Sequence, residues 1–381
     1  MSPRPPSKIS LIGIILSLLF IGIIFIAISS QNDAQTTTGD QYFFIKKQLV
    51  WLLIGSVAFI VGSKLKLSAL TKYINLFYFG SIFLLLLVMI PQFGSSALGA
   101  SRWLNLGIIG IQPSEIYKFI AIIFFANLFS KPDKRTIKKL LIYLLPALFL
   151  ILLEPNFSTV VLISTIILTM YYLSGGEILP IFTISFLAVI IGLVLVVITP
   201  YRLARLSTLL NRDKTEIASY HSNQMLLTLA SGGLFGKGFA NSDQKYRYLP
   251  KISTDSILAV VGEEVGFVGI FTIIVLFILL ILAIFSISHK TPSLFHQLIC
   301  QGIAVWIGSQ ALINIAAVSA LIPLTGVTLP LISYGGSSLT SLLFGLGLVR
   351  NVQNQSKLLY SNVHAPIKNS HSHRQPPHAR H

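Results

Sequence analysis

A single cysteine, Cys300, stands in 381 residues, which excludes an intrachain disulfide. Charged side chains are nearly as scarce, at 10% of the chain with only 12 Asp and Glu. A soluble domain of this length covers itself with far more polar surface, so the composition excludes one. The short alternating segments of a transmembrane β-barrel are missing too. Apolar residues make up 54% of the chain. They fall in recurring runs of about 20 residues, the length an α-helix needs to cross the hydrocarbon core. The expectation is an all-α integral membrane protein.

The runs predict a polytopic bundle of about ten transmembrane helices. They lie at about 9–30, 43–63, 70–91, 115–130, 138–153, 157–174, 178–199, 256–287, 297–322 and 331–349. The first run lacks a small-x-small cleavage site and is read as a retained helix. An even number of spans puts both termini on one side. With the termini in the cytoplasm, more than half of the 28 Lys and Arg lie there, including the cluster from Lys131 to Lys139. The net charge of +16 is thereby read as membrane topology, and nucleic acid is not an expected partner.

A large extracytoplasmic loop, about 200–254, joins the seventh and eighth spans and departs from the charge bias. It holds Arg202, Arg205, Arg212, Lys214, Lys237, Lys245, Arg247 and Lys251. Beside a bilayer, such a loop suits an anionic headgroup or a pyrophosphate. The tail (356–381) is rich in His, Pro and Ser and is expected to be disordered and cytoplasmic. That leaves 1–355 as the membrane domain.

Two glycine-rich stretches invite functional readings and fail the tests for them. "SGGLFGKG" (231–238) has Ser231 where a phosphate loop needs its first Gly, and Gly238 where it needs Ser or Thr. "SYGGSSL" (333–339) lacks the spacing of a nucleophile elbow. Turns and close helix packing explain both.

The remaining charges are few enough to weigh singly. In "ALGASRWLNLGIIGIQPSEIYKF" (97–119), Pro113 and Ser114 open a helix with Ser114 as a plausible N-cap. Glu115 and Lys118, three positions apart, share one face of it. Arg102 beside Trp103 fits an interfacial anchor. In "KISTDSILAVVGEEVGFVG" (251–269), Asp255 lies where loop becomes helix, and Glu263 is about 12 Å deeper in a regular helix. Carboxylates at membrane depth are costly. Asp255, at the outer mouth after a basic loop, is placed to meet a substrate. Glu263 and Glu264 are placed to bind neighbouring helices together.

"GASRWLNLG", "IQPSEIYK", "YRLARL", "LASGGLFGKGFANSDQKYRYLP", "TDSILAVVGEEVGFVG" and "GVTLPLISYGGSS" together resemble the SEDS family (shape, elongation, division and sporulation), the FtsW and RodA proteins. "NSDQKYRYLP" is closer to the FtsW branch. The resemblance runs from the second span to about Arg350. It implies a ten-helix peptidoglycan glycosyltransferase that works with a class B penicillin-binding protein and other divisome or elongasome membrane proteins. Such an enzyme polymerises lipid II on the outer face of the bacterial cytoplasmic (inner) membrane and releases undecaprenyl pyrophosphate. The family's essential Asp falls on Asp255. Three departures stand out. "EPNFST" (154–159) replaces Gln-Pro-Asp-x-Gly-Thr, His221 replaces a Gln, and "TDSILA" replaces Asp-Phe-Ile-Phe.

An inverting transfer from an α-linked sugar pyrophosphate needs a base for the acceptor hydroxyl and positive charge for the leaving group. Asp255 serves as that base, or holds a divalent cation, magnesium or manganese. Arg102, Lys118, Arg202, Arg205 and Lys245 are the candidates for the pyrophosphate, and Glu115, Glu263 and Glu264 support the bundle. Two rivals are kept: a lipid II transporter and a non-enzymatic scaffold for a transpeptidase. A transporter favours charges at the midplane and repeated halves. Here charge gathers at the outer face and no internal repeat is seen.

Overall fold

In a backbone surrounded by lipid every N–H and C=O must find a partner within the protein, and runs of apolar residues satisfy this by coiling into helices. The computed structural model describes residues 10–92, 94–97, 100–105, 110–198, 217–239 and 254–363. These contain 12 α-helices. In chain order they are α1 (Leu11–Ser29), α2 (Gln31–Thr38), α3 (Phe43–Lys64), α4 (Leu67–Val88), α5 (Pro113–Phe129), α6 (Ile137–Leu153), α7 (Phe157–Leu173), α8 (Ile178–Ile198), α9 (Ile217–Ser231), α10 (Ile257–Ser288), α11 (Leu294–Val318) and α12 (Gly336–Val363). Among the described residues, five helices are long and apolar enough to cross a membrane: α1, α3, α4, α10 and α11.

Several expectations shift. The segment 97–119 is not plain loop: β1 (Gly94–Ala97), β2 (Ala100–Asn105) and β3 (Gly110–Ile111) form a small antiparallel sheet in that order. Ser114 is not the cap of α5. Pro113 takes the first helical position after Gln112, because its fixed φ and missing N–H suit that position. The expected loop at 200–254 contains α9, whose last turn continues into a glycine-rich segment packed on α10. The final helix begins at Gly336 rather than 331 and runs on to Val363, past the expected start of a disordered tail.

Small residues set the closest approaches. On Gly62 of α3 a Cβ would stand 2.7 Å from the Phe344 carbonyl, and Gly347 of α12 lies equally hard against Phe59. Asn351 locks the same pair of helices by donating to the carbonyls of Gly62 (3.0 Å) and Leu65 (2.6 Å). Elsewhere aromatic packing dominates, with Tyr78 of α4 stacked on Phe124 of α5 at 3.8 Å. The outward faces of α1, α3 and α8 carry exposed Phe20, Leu53 and Phe186, apolar surface of the kind that lipid covers.

Candidate active site

Asp255 lies in the turn that leads into α10, half-buried, and its Oδ1 accepts a hydrogen bond from Thr254 Oγ1 at 2.6 Å. Ser256 is the N-cap residue of α10 but makes no side-chain cap bond. The main chain at Asp255 is gripped from another helix instead. Asn314 of α11 donates through Nδ2 to the Asp255 carbonyl at 3.1 Å and to the Val327 carbonyl at 2.7 Å.

Asn314 belongs to a polar file on α11, where Trp306, Gln310 and Asn314 recur at four-residue spacing and so share one face. Gln310 Oε1 accepts from Trp306 Nε1 (2.7 Å) and Lys118 Nζ (3.4 Å), while its Nε2 donates to the Thr328 carbonyl (2.9 Å). Lys118 is itself 2.7 Å from Glu115 and lies over the Trp306 ring, 5.0 Å from its centre. Both members of that ion pair are buried. Lys118 is thus turned into the bundle, and its charge is matched there. The segment 325–328 is a meeting point, because Ser158 of α7 also donates to the Thr325 carbonyl at 3.2 Å.

Arg102, on β2, reaches the end of α6. Its Nε donates to the Glu154 carbonyl (3.0 Å) and its Nη2 to the Pro155 carbonyl (2.6 Å). The Glu154 side chain is 2% exposed, and neither carboxyl oxygen has a hydrogen-bond partner. Burial pushes this carboxyl up to about 8, against the opposing pull of Arg102. Asn156 and Thr159 bond each other at 2.8 Å. The departures at 154–159 therefore form a local knot held by the arginine.

Glu263 and Glu264 lie where α10 breaks. Gly266 has φ +74° and ψ −165°, far from helical values. In a regular helix the amides of residues 267 and 268 would bond the carbonyls of residues 263 and 264. Here those carbonyls accept instead from Lys237 N (2.9 Å) and Gly238 N (3.0 Å), and Phe267 N and Val268 N donate to Gly233 O (3.0 Å) and Leu234 O (3.2 Å). Two acceptors and two donors are exchanged one for one, so the break leaves no orphan backbone group at these four positions. A Cβ on Gly266 would stand 2.5 Å from Leu234 O, and Gly232 has no room for one against Gly262. Lys237 Nζ then pairs with the fully buried Glu263 Oε1 at 2.9 Å, and Ser231 Oγ donates to the same oxygen at 3.3 Å. Glu264 is also buried.

Among the predicted site residues, the structure describes Asp255, Arg102, Lys118, Glu115, Glu263 and Glu264. Arg202, Arg205 and Lys245 lie outside the described residues. Among the described residues, no three His, Cys, Asp or Glu side chains cluster as a metal site. Sequence reasoning missed Gln310 and Asn314. The available signal was two amides four positions apart in the second half of a mainly apolar helix.

A family model described as "Cell cycle protein" for FtsW, RodA and SpoVE matches residues 9–358. A protein of Coxiella burnetii named "Probable peptidoglycan glycosyltransferase FtsW" is 33% identical, over 88% of this chain and 93% of its own length. Stage V sporulation protein E of Bacillus subtilis is 34% identical, over 91% and 97%. Among solved structures, a chain from work described as "Structural coordination of polymerization and crosslinking by a peptidoglycan synthase complex" superposes with a TM-score of 0.73 at 25% identity. That match covers 91% of this chain and 97% of the other. RodA of Thermus thermophilus superposes at 0.66 with 26% identity, over 91% and 96%.

Proposed function

The chain belongs to the FtsW/RodA/SpoVE family, and from that premise we propose that it is a peptidoglycan glycosyltransferase of cell division. It polymerises lipid II on the outer face of the cytoplasmic membrane, beside a class B penicillin-binding protein. One observation carries the catalytic reading: the Asp255 carboxylate is half-buried at the mouth of α10, oriented by Thr254, on main chain held by Asn314.

In this reading Asp255 accepts the proton of the acceptor sugar hydroxyl. The freed oxygen bonds the anomeric carbon as the carbon–oxygen bond to pyrophosphate breaks, and undecaprenyl pyrophosphate departs with the electron pair. A single displacement inverts the α link to β. Positive charge for the leaving group comes from Arg102, which holds its place by binding two carbonyls, and from Arg202, Arg205 and Lys245. Lys118, buried against Glu115 and Gln310, is assigned to the frame instead. As the alternative to acting as base, Asp255 would hold a divalent cation that arrives with the pyrophosphate, and the cation would supply charge neutralisation.

Labelled lipid II, the purified protein and its cognate transpeptidase, with magnesium or manganese, provide the test. Asp255→Ala should cut glycan polymer by at least about 100-fold, the usual contribution of a general base, with an unchanged thermal midpoint. Polymer at the parent rate would end the assignment.

A further inference from the structure

The carboxylate at the mouth can act only if its main chain is fixed, and the turn before α10 lacks the side-chain cap that usually does this. We propose that Asn314 is the positioning residue for Asp255, tying the mouth of α10 to the 327–328 segment so that the carboxylate keeps one orientation. The inference rests on the assignment of Asp255 as the base.

Three observations carry it. First, Asn314 is 1% exposed, and its one amide nitrogen bridges two main-chain carbonyls from separate parts of the chain, 255 and 327. Second, its Oδ1 is buried without a hydrogen-bond partner. A side chain kept for packing alone would be apolar here, because an unmatched buried oxygen is a cost. An asparagine with both N–H groups used and its oxygen unmatched is explained by what the N–H groups hold.

Third, Gln310 repeats the arrangement one turn away. It donates to Thr328 O while accepting from Lys118 and Trp306. Segment 327–328 is thereby braced on two successive turns of α11, and the buried Glu115–Lys118 pair bears on the same glutamine. Asn314 joins that braced segment to Asp255. A polar chain runs from the ion pair through Gln310 and the 327–328 backbone to Asn314 and the mouth. Removing Asn314 frees Asp255 from the frame without touching its carboxylate.

The experiment compares Asn314→Ala and Asn314→Asp with the parent and with Asp255→Ala, all as full chains with the cognate transpeptidase and labelled lipid II. Misplacement of a reacting group by about 1 Å costs about 100-fold, so Asn314→Ala should lower kcat by about 10- to 100-fold. KM for lipid II and the thermal midpoint should stay near parental values, since substrate contacts are not removed. Asn314→Asp keeps the shape. Ionised, it has no donor and repels both carbonyls; protonated, it donates once. Its activity relative to the parent should therefore rise as pH falls.

Unchanged kcat per folded protein in Asn314→Ala overturns the inference. Should Asn314→Ala fail to fold, Asn314→Asp decides, and a pH profile parallel to the parent's overturns it. Parental activity in Asn314 variants beside an inactive Asp255→Ala defeats this inference alone. Polymer at the parent rate from Asp255→Ala defeats the reading beneath it.

Discussion

From Ile257 to Glu264 every side chain of α10 is buried. From Phe267 to Ser288 burial narrows to a stripe through Ile273, Phe277, Leu280 and Ile284, with Phe271, Ile278 and Leu282 facing out. The far half obeys the lipid rule, in which an unbroken helix satisfies its own backbone. The near half is encased in protein, and there the chain can break at Gly266 because a second segment supplies the missing partners. Irregular backbone and carboxylates occur on the same side of that boundary, and so does the candidate base. Encasement is what lets the polar chemistry exist within so apolar a chain.

The comparison can be broken most directly at the break itself. Gly266→Ala places a Cβ against Leu234 O at a positive φ, a strain of roughly 1–3 kcal/mol before the clash is counted. The expected result is loss of most folded protein in detergent, read by size-exclusion yield. A normal yield would show that the two segments separate freely.

A smaller effect comes from Lys237→Met, which leaves the buried Glu263 without this partner. Stranding a buried charge costs about 3–5 kcal/mol, and the one-third exposure of Lys237 places the loss toward the lower end. Adding Glu263→Gln should restore most of the thermal midpoint. No restoration would mean that the lysine acts elsewhere.

Glu154→Gln acts through pH, and over any single pH unit its effect is the smallest. The carboxyl is raised from an ordinary value near 4.5 to about 8, so the folded state holds its proton more tightly than the unfolded one. The stability this contributes is fully present below about 4.5 and is lost as pH rises through about 8. Glutamine removes that dependence. The variant's unfolding free energy should gain on the parent's between pH 5 and 8, by at most ~1.4 kcal/mol per pH unit. A constant difference across that range would mean the carboxyl does not bind a proton on folding.

Much of this was legible in the sequence. The run at 256–287 became α10 at Ile257–Ser288 almost unchanged, because length and apolarity alone decide a helix in lipid. Acid positions were legible for the same reason, being rare. The break at Gly266 was not, since periodicity carries no signal where nearly every residue is apolar. "SGGLFGKG" was legible as a turn, but its partner lies some 30 residues on, and pairing of backbones leaves no side-chain pattern to read. Asn314 was missed for a related reason. A hydrogen bond to a carbonyl asks nothing of the identity of residue 255 or 327.

The exchange between 233–238 and 263–268 also fixes an order of events during synthesis. The glycine turn leaves the ribosome before the helix that completes it, so its amides at 237 and 238 remain solvated until α10 has followed. A ribosome pause placed just after residue 239 would lengthen the time that the half-made joint stays open to proteolysis.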